Sequence, residues 1–368
     1  MAASARGTAV TARVGVALGV AIAVCFVTGL ISHLIQHPQP WFDWPTRPVW
    51  LYRFTQGLHI ASGIAAIPLV LVKLWSVWPK LFQRPVIGGP VRALERVSIL
   101  VLVAAILFEL STGLLNIAQW YVFGFFFPTA HYAAAYVATG AVVVHIGVKL
   151  PVIRRALGES LDEAPDDAPP GPSRRMVLRG TWLAVAVATL VTVGHTVPAL
   201  RRVAVLAPRS GEGPQGVPVN RSAVAAGVLD SARSPDYRLT VANGDRTAVL
   251  TVDDLRSMPQ RTHRLPIACV EGWSADADWT GVVLADLIAL VGARPDSEVR
   301  MISLEPPGPY SRTVLPARHA ADGMTLVALM LNGETLDLDH GYPCRLIAPS
   351  RPGVLQTKWL SRIEVMAT

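Results

Sequence analysis

Two kinds of residue in this 368-residue sequence have the types and spacing for metal chemistry: histidines in apolar segments, and one cysteine at the end of an apolar strand. His131 and His145 lie 14 residues apart in one apolar segment. At ~100° per residue a helix returns to nearly the same face over that interval, and at ~1.5 Å per residue it separates them by ~21 Å. One helix face then presents an imidazole near each surface of a bilayer, a layout suited to two stacked haems. Neutral imidazole is an apt axial ligand for haem iron. His59, in an earlier apolar segment, falls at about the depth of His131, and that pair is the expected site of an outer haem. His33 and His37 compete with His59 for the role. His145 has no histidine opposite it, because the position one repeat below His59 is Lys73, so one haem is expected in preference to two. The plain alternative is a set of membrane-edge histidines bonded to backbone or lipid. Glu109 and Asn116 either serve a quinone or proton path or make ordinary helix–helix hydrogen bonds.

The cysteine is Cys269. In THRLPIACV apolar residues alternate as in a strand, and Cys269 ends the run where Glu271-Gly272 makes a polar turn. A sulfur there sits at the rim of a sheet, where loops build sites. A thiolate is a soft, strong ligand for a transition metal. Its parity with Leu265 and Ile267 describes a buried core residue equally well. Cys25, in an apolar helix, and Cys344, in YPCRLIA, read as packing residues, and three cysteines make no disulfide framework.

The elements that must position these residues fall into two classes. The chain is 51% hydrophobic and 16% charged, and the apolar residues crowd into the first 200 positions. Five runs, 12–35, 50–78, 97–120, 130–150 and 180–198, are long enough to span a bilayer, for which ~20 residues are needed. Trp50, Trp75 and Trp78 bracket the second run as interfacial belts do. Arg6 and Arg13 precede the first run, and Lys80, Arg84, Arg92 and Arg96 fill the loop after the second. Arg154, Arg155, Arg174, Arg175 and Arg179 lie between the fourth and fifth, whereas loops 36–49 and 121–129 hold only Arg47. The positive-inside rule then places the N-terminus in the cytoplasm and everything after about residue 199 outside, with the lipid bilayer as a partner. The net charge of +7 belongs largely to these flanks. No basic stripe with interleaved aromatics appears, so nucleic acid is not an expected partner.

LDEAPDDAPPGPS (161–173) reads as a flexible cytoplasmic linker, and PRSGEGPQGVP as a second loose stretch. From residue 220 the pattern is α+β. YRLTVA, THRLPIACV, CRLIAP and SRIEVMA read as strands, and Asn332-Gly333 as a hairpin turn. Thr251 with Asp254 caps a short helix holding Leu255, and TGVVLADLIALVG reads as an amphipathic helix ended by Gly292. About 150 residues bury a core unaided.

IACVEGWS (267–274), followed by WTGVVLADLI and by LNGETLDLDHGYPCRLIAPSRPGVLQTKWLSRIEV, resembles the sulfite oxidase-like family of molybdopterin enzymes over about residues 220–368. The resemblance implies a molybdenum–molybdopterin cofactor, with Cys269 at the position of the one cysteine that binds molybdenum beside two dithiolene sulfurs. It implies that His340 and Arg345 contact the pterin and its phosphate, and that Gln356, Thr357 and Lys358 lie on the cofactor. Asn220 and Arg221 match the start of the cofactor cradle, and Tyr310 resembles an active-site tyrosine near the oxo ligands. A guanidinium and an ammonium suit an anionic phosphate. Ordinary roles stand beside these: His340 capping a turn, Lys358 a solvated strand end, Tyr310 a core residue. Thr368 leaves no length for the β-sandwich dimerisation domain of animal-type sulfite oxidases, so that dimer is not expected. The compact domain is closer to bacterial periplasmic relatives, which include methionine-sulfoxide reductases working with a haem membrane subunit.

The fold class expected is therefore an all-α transmembrane four-helix bundle, a fifth transmembrane anchor helix, and an α+β molybdopterin-binding domain. The expected organisation is a cytochrome b-like membrane domain over 1–155, a linker over 156–179, the fifth helix over 180–198, a linker over 199–219, and the outer domain over 220–368. Ser173-Arg174-Arg175-Met176-Val177-Leu178-Arg179 follows the twin-arginine export pattern, although paired arginines before an apolar helix also satisfy the positive-inside rule. Twin-arginine export carries folded proteins, which suits a domain that receives its cofactor in the cytoplasm. The expected function is a membrane-bound molybdenum oxidoreductase performing oxygen-atom transfer on a small oxo donor or acceptor. It exchanges electrons through a b-type haem with a quinone or another electron carrier. The competing expectations are a cofactor-free binding or assembly module and a pure electron relay.

Overall fold

The computed structural model describes residues 6–84, 89–159, 161, 172–196, 198–207 and 213–367. Most of the 161–173 linker and residues 208–212 of the second loose stretch lie outside the described residues.

Five helices are long and apolar enough to cross a membrane: α1 (Thr8–Gln36), α2 (Leu51–Leu81), α3 (Pro90–Ile117), α4 (Phe127–Gly158) and α5 (Arg174–Thr192). They coincide with the five apolar runs and differ from them at the ends. Helix α3 starts at Pro90, ahead of its apolar stretch, because proline is pre-organised for a first helical turn. Helix α5 begins at Arg174 and not at 180, since Ser173 caps it: the Ser173 hydroxyl accepts the Met176 N–H at 3.1 Å. Arg174, Arg175 and Arg179 are thus helical, although cations are disfavoured near a helix N-terminus.

The chain divides into two compact units, Met1–His33 with Gly57–Pro208, and Leu34–Gln56 with Arg209–Thr368. In the first unit three apolar clusters form around α2. Val10, Val14, Ala21, Ala66 and Leu69 make one, Val70, Ala105, Ile106 and Ala138 a second, and Ile60, Ile64 and Val193 a third. Large apolar side chains such as Leu71, Leu100, Val143 and Leu183 face outward as well. Helices apolar on all sides are those that lipid surrounds. Arg13 donates to the Ala156, Leu157 and Glu159 carbonyls at 3.1–3.2 Å, so a cation completes the C-terminal end of α4.

In the second unit the first sheet runs β2 (Arg246–Leu250), β1 (Leu239–Asn243), β10 (Leu360–Val365), β5 (Val299–Ser303), β6 (Arg312–Leu315). β1 and β10 pair in parallel and the other pairs are antiparallel. The second sheet runs β3 (Gln260–Ala268), β4 (Ser274–Val283), β7 (Leu326–Leu331), β8 (Glu334–Thr335), with β9 (Arg345–Ile347) also on β7. Four short helices accompany them: α6 (Leu229–Arg233), α7 (Val252–Ser257), α8 (Leu284–Ala289) and α9 (Ala317–Ala320). The main core draws Val241, Met301 and Ile363 from the first sheet, Val282, Val327 and Leu346 from the second, and Leu287 and Ile288 from α8. Cys344 packs there, as its apolar surroundings predict, with its sulfur 3.1 Å from the Tyr237 hydroxyl.

The expected capping box is present, with Thr251 and Asp254 bonding each other's backbone N–H. Asn332 and Gly333, at φ 51° and 84°, make the β7–β8 turn. The TGVVLADLIALVG expectation needs correction. Thr280–Val283 complete β4 and only Leu284–Ala289 is helical. A Cβ at Gly281 would strike the Val327 carbonyl, so β4 and β7 approach there more closely than any side chain allows. Gly292, at φ 69°, does close the segment after α8, donating to the Ala289 carbonyl at 2.9 Å.

Candidate functional site

Strands β3 and β4 form a hairpin whose loop, Cys269–Trp273, carries the expected metal ligand. The Cys269 N–H donates to the Trp273 carbonyl at 2.8 Å, and the Gly272 N–H to the Cys269 carbonyl at 3.1 Å. Gly272 takes φ 89°, which glycine adopts without strain. Glu271 accepts from the Trp273 indole N–H at 3.2 Å. Cys269 is 1% exposed and shares an apolar cluster with Leu265, Ile267, Trp273 and Ala275. Polar groups also feel its sulfur. Burial, with Cys269 and Glu271 nearby, pushes the Tyr310 phenol above its usual range.

A second set of residues converges close by. Arg345 is 1% exposed. Its guanidinium donates to the His340 and Gln356 carbonyls, both at 3.0 Å, and lies 5.1 Å from the centre of the Trp279 ring. Lys358 donates to the Arg221 carbonyl at 2.8 Å and the Asp339 carbonyl at 2.7 Å. Burial lowers the Arg345 pKa to about 9. Burial of the Lys358 ammonium, with Arg345 beside it, lowers its pKa to about 7 against the pull of Asp339, Glu305 and Cys269. Among the described residues neither cation makes an ion pair with a carboxylate. Enclosed cations held only by carbonyls retain a strong demand for an anion. Gly341, at φ 108°, closes the group, since a Cβ there would sit 3.1 Å from the Cβ atoms of both Arg345 and Lys358.

The remaining expected residues are engaged locally. The Gln356 amide spans the Ala348 N–H and carbonyl, both at 2.8 Å. The Thr357 hydroxyl meets that of Thr313 at 2.7 Å, and His340 Nε2 meets the Pro214 carbonyl at 2.7 Å. Asn220 accepts the Arg221 N–H at 3.0 Å, and Arg221 pairs with Glu305 at 2.9 Å. His340, Gln356, Thr357 and Arg221 therefore shape the cradle through backbone and packing. Glu305, Asp339 and Gly341 also shape it and had no signal strong enough to mark them beforehand. Among the described residues no group of three or more His, Cys, Asp or Glu side chains is placed to hold a metal. A metal held by one thiolate and a cofactor's own sulfurs needs no such group, and the anion-seeking cradle beside Cys269 fits a phosphate-bearing cofactor.

In the helical unit His59 and His131 come together, with ring centres 6.3 Å apart at 75°. His59 Nδ1 lies 3.0 Å from the Cys25 carbonyl and 3.2 Å from the Thr28 hydroxyl. His131 Nδ1 meets the Thr112 hydroxyl at 2.8 Å, and its Nε2 meets Glu109 at 3.2 Å. The described ring contacts pair His59 with His131 and leave His145 out, while Lys73 donates to the Thr11 carbonyl at 2.8 Å. His33 stacks on Tyr132 at 3.5 Å.

Comparison with known proteins bears on the second unit. Residues 226–368 match the family described as the oxidoreductase molybdopterin binding domain. The mitochondrial sulfite oxidase of Drosophila melanogaster is 31% identical over 156 residues, covering 35% of this chain and 27% of that protein. YedZ1 of Azospira oryzae, named as a subunit of a protein-methionine-sulfoxide reductase, is 30% identical over 141 residues, covering 37% of this chain and 52% of that protein. The solved sulfane dehydrogenase SoxCD of Paracoccus pantotrophus aligns at 26% identity over 36% of this chain and 39% of its own, with a TM-score of 0.33. The matches thus span about a quarter to a half of the length of these relatives. The family they reach is that of molybdopterin-binding oxidoreductase domains of the sulfite oxidase type, and it covers the C-terminal region of this chain.

Proposed function

We propose that the protein is a membrane-bound molybdenum-cofactor oxidoreductase that transfers an oxygen atom to or from a small substrate outside the cytoplasm. The observation that carries this reading is the pair of cations, buried Arg345 and half-buried Lys358, that meet backbone carbonyls and no carboxylate among the described residues, within a domain of matching family. When bound, a molybdenum–molybdopterin cofactor supplies the two-electron oxygen-atom chemistry. The Cys269 thiolate holds the metal, and Arg345 and Lys358 hold the anionic end of the cofactor. Asn220, Arg221, His340, Gln356 and Thr357 keep the cradle in shape. Tyr310 offers its hydroxyl to the substrate oxygen, carrying its proton at neutral pH as an ordinary phenol does. The named relatives include a sulfite oxidase and a methionine-sulfoxide reductase subunit, so sulfite, sulfoxides, N-oxides and similar oxo donors or acceptors form the substrate class.

His59 and His131 are the proposed ligands of one b-type haem, supported by their 6.3 Å ring separation. Ligation through His131 Nε2 requires Glu109 to give up its contact. His145 is kept as an inner ligand only if a second haem is found. Electrons pass between this haem and a quinone or another carrier. The basic loops support a cytoplasmic N-terminus, and the Ser173–Arg179 stretch supports export of a folded outer domain. The five helices support residence in the bilayer.

Metal and pterin analysis of the purified protein, with a reduced-minus-oxidised haem spectrum, tests this reading: about one molybdenum per chain is expected, and none would sink it. Cys269→Ser is expected to cut turnover by more than ~100-fold while leaving the fold intact. A second reading, a cofactor-free binding or assembly module, draws on the apolar packing of Cys269. In that case Cys269→Ser changes stability alone.

A further inference from the structure

A different cluster in the second unit has no part in the site described above. Arg351 is 3% exposed, and its only hydrogen bond among the described residues runs from Nη2 to the Val314 carbonyl at 3.1 Å, while Nε has no partner. His319, also 3% exposed, lies near it and has neither ring nitrogen in a well-formed hydrogen bond, with only a loose contact to the Pro349 carbonyl. Burial and the neighbouring Arg351 lower the His319 pKa to about 3, so the ring is neutral and has one N–H to give. Burial lowers the Arg351 pKa to about 9, which leaves it charged at neutral pH.

The charged groups around the pair are already spoken for. Asp322 pairs with Arg47 at 2.9 Å, and Arg318 pairs with Asp43. No carboxylate among the described residues pairs with Arg351. An enclosed guanidinium with neither counter-charge nor full hydrogen bonding is costly. The backbone is also held in an unusual state to keep it there. Ser350 takes φ 55°, a region costly for a residue with a Cβ. The Trp44 indole N–H fixes it, reaching the Ser350 carbonyl at 2.8 Å and its hydroxyl at 3.0 Å. On the other side Pro352 bridges to Ala268, the residue before Cys269.

We propose that Arg351 and His319 form a binding site for a tetrahedral oxyanion of the phosphate type, closed by the strap around Asp43–Arg47. The guanidinium supplies charge and an open Nε–H, and the neutral imidazole supplies one N–H. The occupant is a free oxyanion, since the anionic end of the cofactor is assigned above to Arg345 and Lys358.

The test uses the full-length chain in lipid nanodiscs, from a host that makes the cofactor, as wild type, Arg351→Gln and Arg351→Lys. Molybdenum and pterin content per chain is measured, and inorganic phosphate is titrated by calorimetry. A fall in content of about fivefold or more in Arg351→Gln, mostly restored in Arg351→Lys, would place Arg351 on the cofactor and overturn the proposal. The expected result is unchanged content, phosphate binding by the wild type, and binding about tenfold weaker in Arg351→Gln. Unchanged content together with no phosphate binding, or with binding that ignores Arg351→Gln, overturns the proposal. A wild type without molybdenum sinks the cofactor reading alone, and the phosphate titration still decides. Should Arg351→Gln fail to fold by circular dichroism, Trp44→Phe, which releases Ser350 and leaves Arg351 in place, is read by the same two measurements.

Discussion

In the helical unit His131 is held side chain to side chain, between the Thr112 hydroxyl and the Glu109 carboxyl. In the α+β unit Arg345 and Arg351 are held by backbone carbonyls, with no carboxylate pairing among the described residues. The first arrangement is closed by its own side chains and must be opened before anything binds. The second leaves positive charge uncompensated and is complete only with an anion. Both regions bury polar groups, but His131 is met by side chains, whereas Arg345 and Arg351 store an electrostatic demand for an anion.

That contrast can be broken most forcefully through Lys358. Its folded-state pKa is about 7 against an ordinary value of 10.5. Between those values the unfolded chain holds the proton and the folded chain does not. Stability of the cofactor-free protein therefore rises with pH from about 7 to about 10, and the penalty is fully present below that window. The expected difference between wild type and Lys358→Met across the window is at most a few kcal/mol, read by chemical denaturation at pH 7 and pH 10. With an anion bound the difference disappears.

Next in size is His131→Leu, which strips Glu109 of its partner while its other oxygen already has none. Thermal unfolding in detergent is expected to show a loss of about 1–3 kcal/mol. Arg345→Met should behave differently, because it orphans carbonyls but no opposite charge. In cofactor-free protein its expected effect is within about 1 kcal/mol of neutral, whereas in loaded protein pterin retention falls. A large loss in the cofactor-free form would place the two regions on the same footing. Smallest of all, Thr251→Ala removes the α7 cap and should cost about 1 kcal/mol in denaturation, with metal and haem content unchanged.

Much of this was readable beforehand, and the unread part has physical causes. Apolar length alone marks the five helices, but their ends depend on Ser173 and Pro90, single residues whose capping role shows only in context. TGVVLADLIALVG was misassigned as one helix because a short apolar run fits a buried strand as well as a buried helix. Exposed edge strand β2 carries too weak an alternation to be seen. Cys269, Arg345 and Lys358 are singled out by their sequence blocks, and the structure brings Arg345 and Lys358 together around Gly341. Arg351 stood inside one of those blocks and was passed over, since charged side chains are assigned to the surface unless something pairs them. His319, in an ordinary short helix, gave no signal.

Strand β10 sits between β1 and β5 at the centre of its sheet, yet it is made more than a hundred residues after β1. At translation rates of about 5–20 residues per second, β1 must wait from several seconds to nearly half a minute for its parallel neighbour. During that wait β1 presents an unpaired edge where β10 will later lie. The sheet is thus completed only once β10 has been made, which leaves an interval for a partner to intervene before the core shuts.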